Sequence, residues 1–239
     1  MRELKAQLCA RWDEMLLILG LEAGFFIIAE IFMAVLVHFQ QTDNSVFHIG
    51  TVTALVVAVF VVVFMGIGIL PVHFNLAVSM GSARKRFMPV FLLLSFLENL
   101  AAAAAAYLLS LLETQILRSA YAGIKLESRT EDFFRWKYIL AACLGLAALN
   151  AFMGMLFIKL GKIAWTIIWV LWMVCCFGIP RIGHIAETAK GTVFGEICGA
   201  VIGAVSGLTE GGILAGIVIV SAGMLAVAWG ILRKQEVRI

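Results

Sequence analysis

Residues 44–83, NSVFHIGTVTALVVAVFVVVFMGIGILPVHFNLAVSMGSA, contain no Asp, Glu, Lys or Arg. A helix crossing a bilayer needs about 20 apolar residues. The run therefore supplies one full span over about 51–71, expected to stop near Pro71, where the ring removes a helix hydrogen bond. The rest of the chain has the same character. Of its 239 residues, 63% are hydrophobic and 14% charged, and the mean hydropathy is +1.04. A water-soluble domain carries roughly 45–50% apolar and about 25% charged residues, so a soluble globule is excluded. Six spans with their connections fill the chain. No separate soluble catalytic domain fits, and any chemistry must sit in the membrane or be supplied by a partner.

Working outward from that stretch, residues 1–14 read as an amphipathic helix. Leu4, Leu8 and Trp12 recur every four positions, and Arg2, Lys5, Arg11, Asp13 and Glu14 fill the remainder. Such a segment is expected to lie in the membrane interface. The first span covers about 15–39 and carries Glu22 and Glu30. After the second span come Asn75, Ser79, Gly81 and Ser82 and the basic triplet Arg84, Lys85, Arg86. The third span covers about 88–112, with Pro89 in its first turn and Glu98 and Asn99 near mid-depth. A mixed-charge external loop follows over 113–136. The fourth span is 137–158, Lys159 and Lys162 mark a short turn, and the fifth is 163–179.

Residues 191–210 carry glycines every four residues, among them Gly195, Gly199, Gly203 and Gly207. That stripe would let another helix approach closely. The segment holds only a short run between Glu196 and Glu210, which suits a re-entrant segment better than a full span. The last span is 213–232. Six spans place eleven Lys and Arg on the side that holds both termini and seven on the other. The excess favours both termini in the cytoplasm. The fold expected is an all-α polytopic membrane protein of a single domain over 1–239.

Several chemistries have no sequence support. There is no phosphate-binding G-x-x-x-x-G-K-[ST], no H-E-x-x-H helix and no Cys/His cluster with metal spacing. Nor is there a concentrated basic face of the kind nucleic acid requires. Cys9, Cys143, Cys175, Cys176 and Cys198 sit mostly in apolar runs as small hydrophobes. Four histidines, His38, His48, His73 and His184, fall near span ends or in loops, where solvated polar roles are expected. Trp165, Trp169 and Trp172 share a helix face, a lipid-facing or packing stripe.

Glu22, Glu30 and Glu98 stand out, because an acidic group near mid-bilayer is disfavoured by about 2.5–3.5 kcal/mol. Glu22 and Glu30 lie about 80° apart around a helix and share one broad face. All three either line a lumen that meets cationic or amphipathic cargo or pack one helix on another. The polar lead before Arg84 suits a short helix lying across the cytoplasmic membrane face, a surface able to dock a soluble partner.

Three features together resemble the small six-span permease subunits of bacterial ABC-2 type exporters. They are the interfacial N-terminal helix, the pattern F-N-x-A-x-x-M-G-x-x-R-K-x-F from Phe74 to Phe87, and the turn F-I-K-L-G-K at 157–162 with Trp165 beyond it. The resemblance implies that 72–87 is a coupling helix seated on a separate ATPase, with Asn75, Met80, Gly81, Ser82, Arg84 and Lys85 in the contact. It implies a second permease subunit in a homo- or heterodimer, ATP and Mg held by the partner ATPase and none by this chain, and a place in the bacterial cytoplasmic membrane. It also implies short external re-entrant helices before the last span. The expected activity is export of hydrophobic or amphipathic peptides, or of drug- or lipid-like amphiphiles. A secondary transporter or a non-transporting accessory membrane protein is the alternative. A secondary transporter should show an inverted repeat, and residues 1–120 and 121–239 show no convincing similarity.

Overall fold

A computed structural model describes residues 2–39, 45–46, 48–79, 84–120, 125–126, 134–174, 181, 192–193, 196, 199–200, 202–203 and 207–234. Its long elements are helices: α1 (Arg2–Phe39), α2 (Ile49–Ser79), α3 (Arg84–Ala120), α4 (Trp136–Leu160), α5 (Lys162–Met173) and α6 (Glu210–Lys234). Ser45–Val46 (β1) and Lys125–Leu126 (β2) form a two-residue parallel pairing beyond the ends of α1 and α3. Five of these helices, α1, α2, α3, α4 and α6, are long and apolar enough to cross a membrane. α5 contributes the described part of the expected fifth span, whose remaining residues lie outside the described set, as does most of 191–210.

Three boundaries differ from those expected, each for a physical reason. The interfacial segment 1–14 is not a separate helix. It has no Gly or Pro before Gly20, so the backbone ladder runs unbroken from Arg2 to Phe39. At about 1.5 Å per residue this 38-residue helix is about 57 Å long, well beyond a hydrocarbon core of about 30 Å. The second span does not stop at Pro71 either, and α2 continues through it to Ser79. Leu70 and Phe74, on either side of the proline, are fully buried; packing holds the axis where one backbone bond is missing. Residues 72–79 of the expected coupling segment are therefore the last two turns of α2. Finally, α3 runs from Arg84 past the expected end at 112 to Ala120, which takes Glu113 out of the expected loop and into the bundle.

The helix ends sort into two groups. Leu70, Phe74 and Ala77 of α2, Phe87, Met88 and Phe91 of α3, Ala151 and Met155 of α4, and Ala228 and Leu232 of α6 form one buried cluster. Phe74 meets Phe87 edge-on at 5.5 Å between ring centroids, and Phe87 stacks on Phe91 at 5.9 Å. At the other end Met33 of α1 and Leu117 of α3 are buried together, with Ile49 packed against them. The C-terminal end of α6 thus lies beside the α2–α3 junction.

α2 and α4 approach each other closely. A Cβ added at Gly154 would lie 2.7 Å from Leu70 Cβ, and one at Gly66 would overlap the Asn150 amide. Asn150 uses that space to donate from Nδ2 to the Val62 carbonyl at 3.2 Å. Of the expected glycine stripe, Gly199 and Gly203 would meet nothing within 4 Å among the described residues, and Gly195 lies outside them. The turn between α4 and α5 is the single residue Gly161, at φ +57° and ψ −129°, a conformation that favours glycine. The Trp stripe of α5 packs on α2: Trp172 lies 5.3 Å from both Phe60 and Phe64.

Replacing Gly66 with Ala should therefore lower stability by about 1–3 kcal/mol, because the methyl group must displace Asn150 and break its bond to Val62. Gly216→Ala on α6, with nothing within 4 Å, should change it by less than about 0.5 kcal/mol. Thermal unfolding of both variants in detergent tests this, and equal effects would refute the close α2–α4 contact.

Candidate functional site

The buried charged residues of the bundle gather on one seam, where α1, α2 and α3 meet. Near the α2–α3 junction, Arg11 of α1 is 3% exposed. Its Nη2 lies 3.0 Å from Glu98 Oε2, its Nε 3.5 Å from Glu14 Oε2, and its Nη1 donates to the Phe91 carbonyl at 3.4 Å. The guanidinium also sits 4.6 Å from the centre of the Phe91 ring. His73 Nε2 of α2 lies 3.1 Å from Glu14 Oε1. Glu98 is thus an ion-paired helix contact.

At the opposite end of the seam, the Glu113 carboxylate of α3 caps α2. The Gly50 and Thr51 amides donate to its two oxygens at 2.9 and 2.8 Å, and the Thr51 hydroxyl donates at 2.5 Å. The first amides of a helix have no partner within it and attract negative charge, so a carboxylate from another helix satisfies both needs. His48 Nδ1 lies 3.4 Å from Glu113 Oε2. Glu30 of α1 interacts with Glu113, and its Oε1 occupies the space a Cβ on Gly50 would need.

Between these two ends the seam changes. Glu22 of α1 is 0% exposed, and neither of its carboxyl oxygens has a hydrogen-bond partner. It lines a cavity of about 200 Å³ together with Asn99 of α3. Asn99 is buried and donates from Nδ2 to the Cys143 carbonyl of α4 at 3.1 Å; its Oδ1 has no partner. The remaining walls are mostly short and apolar, among them Ala58, Val62, Ala102, Ala103 and Ala142. Val59, at 41% exposure, and Ala142, also exposed, are among the lining residues, so part of the wall lies at the outside of the bundle. Among the described residues no three His, Cys, Asp or Glu side chains converge as metal ligands.

Glu22, Glu30 and Glu98 therefore lie at three levels of one seam: Glu98 paired, Glu30 beside Glu113, and Glu22 on a cavity. Of the six residues expected to contact an ATPase, Asn75 is exposed on α2, and Arg84 and Lys85 begin α3. Met80, Gly81 and Ser82 lie outside the described residues.

Sequence reasoning missed Arg11 and Glu113 and treated His48 and His73 as solvated. A signal existed for Arg11. It continues, at helical spacing, the buried stripe of Ile18, Glu22, Phe26, Ala29 and Met33. Glu113 follows Asn99 by four helical turns on nearly the same face, visible only once α3 is extended past 112.

The ion-pair end makes a sharp stability prediction. Arg11→Met leaves Glu98 and Glu14 without their buried cation and should destabilise by about 3–5 kcal/mol. Adding Glu98→Leu should restore much of the loss, since the double variant leaves one fewer uncompensated charge. Equilibrium unfolding of both single variants and the double variant in detergent gives the coupling; additive losses would refute the pair.

Comparison with protein-family models, with curated proteins and with solved structures returns no match to this chain.

Proposed function

We propose that the chain is the transmembrane permease subunit of an ATP-driven exporter, working with a separate cytoplasmic ATPase and a second permease subunit. Its cargo would be hydrophobic or amphipathic peptides, or drug- or lipid-like amphiphiles. The observation that carries this proposal is the gathering of basic helix ends. The α2–α3 junction, with Arg84, Lys85 and Arg86, lies beside the C-terminal end of α6, which carries Arg233 and Lys234, and near the end of α4, with Lys159. An excess of basic residues at one end of a helical membrane protein favours that end in the cytoplasm. This supports the proposed place in the bacterial cytoplasmic membrane with both termini inside.

The same end is suited to docking. α2 and α3, at 31 and 37 residues, are about 46 and 55 Å long, more than the hydrocarbon core requires. Their junction would then stand in the aqueous phase, where an ATPase could seat on it. Asn75, Met80, Gly81, Ser82, Arg84 and Lys85 are the proposed contact, and ATP and Mg would be bound by the partner. The unpartnered Glu22 carboxyl favours a second mechanism, secondary transport driven by a cation gradient.

Purification of the tagged chain from its own host tests the proposal. An ATPase should co-purify and be lost on Gly81→Arg or Arg84→Glu. Export into inverted vesicles should require ATP and survive an uncoupler. Recovery without any ATPase, or its retention by both variants, would overturn the assigned docking surface; abolition of transport by the uncoupler alone would favour the gradient-driven mechanism.

A further inference from the structure

The geometry points to the Glu22–Asn99 cavity as a binding site for a primary ammonium group carried on a hydrocarbon stem. Three buried acceptor atoms, Glu22 Oε1, Glu22 Oε2 and Asn99 Oδ1, have no hydrogen-bond partner, and both residues line the same space. A buried polar group left without a partner is costly, and within a bilayer bulk water does not relieve it. Asn99 gives one of its two amide N–H donors to the Cys143 carbonyl. The Tyr138 hydroxyl and the Cys143 thiol also line the space but do not reach these atoms; with Glu22 ionised, what the three acceptors lack is donors and positive charge.

A primary ammonium supplies three N–H donors, one charge and no acceptor. A quaternary ammonium brings the charge without donors, and a hydroxyl brings one donor without charge. The walls specify what the ammonium is attached to. Ala58, Val62, Ala102 and Ala103 offer only apolar surface, complementary to methylenes. A volume of about 200 Å³ is far more than the roughly 10–15 Å³ that a single water needs. It holds a head group and a short length of stem, with the remainder leaving past Val59. Two sources provide this chemistry: an alkylamine-like lipid or drug, and a lysine side chain of an amphipathic peptide.

The inference deepens the transport proposal and rests on it only in treating the bound amine as cargo; binding itself requires neither ATPase nor nucleotide. The purified full chain in nanodiscs is titrated with dodecylamine, dodecanol and dodecyltrimethylammonium by calorimetry. A hydrophobic peptide with a single lysine, and its Nε-acetylated form, identify the source. Dodecylamine should saturate at one per chain and bind at least about tenfold tighter than the other two, the ratio expected when a charge-assisted hydrogen bond is lost. Glu22→Gln and Asn99→Leu should each weaken it by about tenfold or more. Ala103→Leu, which fills the cavity and leaves both polar groups in place, should abolish saturable binding and keeps the test valid if Glu22→Gln does not fold. Tighter binding of the lysine peptide than of its acetylated form assigns the site to peptides; saturation by dodecylamine alone assigns it to lipid-like amines. Equal partitioning of the three dodecyl probes, or unchanged binding in Ala103→Leu, overturns the site. Failure of ATP-driven export with amine binding intact overturns the exporter proposal and leaves the site standing.

Discussion

A charge inside a bilayer must be satisfied by the protein, and this bundle meets that requirement along a single seam. At one end Arg11 of α1 binds Glu98 of α3 at 3.0 Å, and at the other Glu113 of α3 holds the first amides of α2 at 2.9 and 2.8 Å. The two acidic residues are separated along α3 by about 22 Å of helix. Sliding α3 by one residue would break both ends at once, so the seam fixes the register of all three helices. Hydrophobic packing alone does not supply such register in a membrane, because lipid tails are as apolar as the helix faces they compete with.

With the seam pinned, the other contacts act over shorter distances. α4 reaches α2 through Gly66 and Gly154 and is tied by Asn150 to the Val62 carbonyl. Asn99 reciprocates from α3 to the Cys143 carbonyl of α4. Each amide bonds a backbone carbonyl of a neighbouring helix, and small residues let the helices come close enough for this to happen. Between the two pinned ends, Ala58 of α2, Ala102 and Ala103 of α3 and Ala142 of α4 have side chains too short to fill the space. The cavity is the volume that these alanines leave while the helices are held at fixed spacing from above and below.

The class of the fold was legible in the sequence, because bilayer thickness and the 44–83 run leave few alternatives to long apolar helices. The boundaries were not. A charged residue near a span end resembles the edge of the membrane, and so Arg11 and Glu113 were placed on surfaces. Each instead has a partner on another helix, and that partner is far away in sequence. Pro71 misled for a related reason: its local effect is visible in the sequence, whereas the burial of Leu70 and Phe74 that carries α2 through it is tertiary. The glycines show the same limit. Periodicity picked out Gly199 and Gly203, where an added Cβ would meet nothing within 4 Å among the described residues, and passed over Gly66 and Gly154, whose neighbours are Asn150 and Leu70. What faces a glycine cannot be read from its spacing.

Glu22 differs from the other acidic residues in a way that bears on function. The chain supplies Glu98 with a guanidinium and Glu113 with two amides and a hydroxyl, so complementary donors are within its means. Around the cavity that Glu22 lines it supplies mostly apolar side chains, Asn99 gives one amide N–H to the Cys143 carbonyl, and the Tyr138 hydroxyl and Cys143 thiol do not reach the Glu22 oxygens. A carboxyl serving only to join helices would be expected to have a donor on the helix it joins, as the other two do. Without one it adds desolvation to the folded state and brings no compensating bond. That arrangement is intelligible when the donor comes from outside the protein, through the side of the bundle where Val59 is exposed. The same lack of donors that makes Glu22 a poor structural residue is what would make the proposed site selective, since a hydrocarbon chain brings no donor and a primary ammonium brings three.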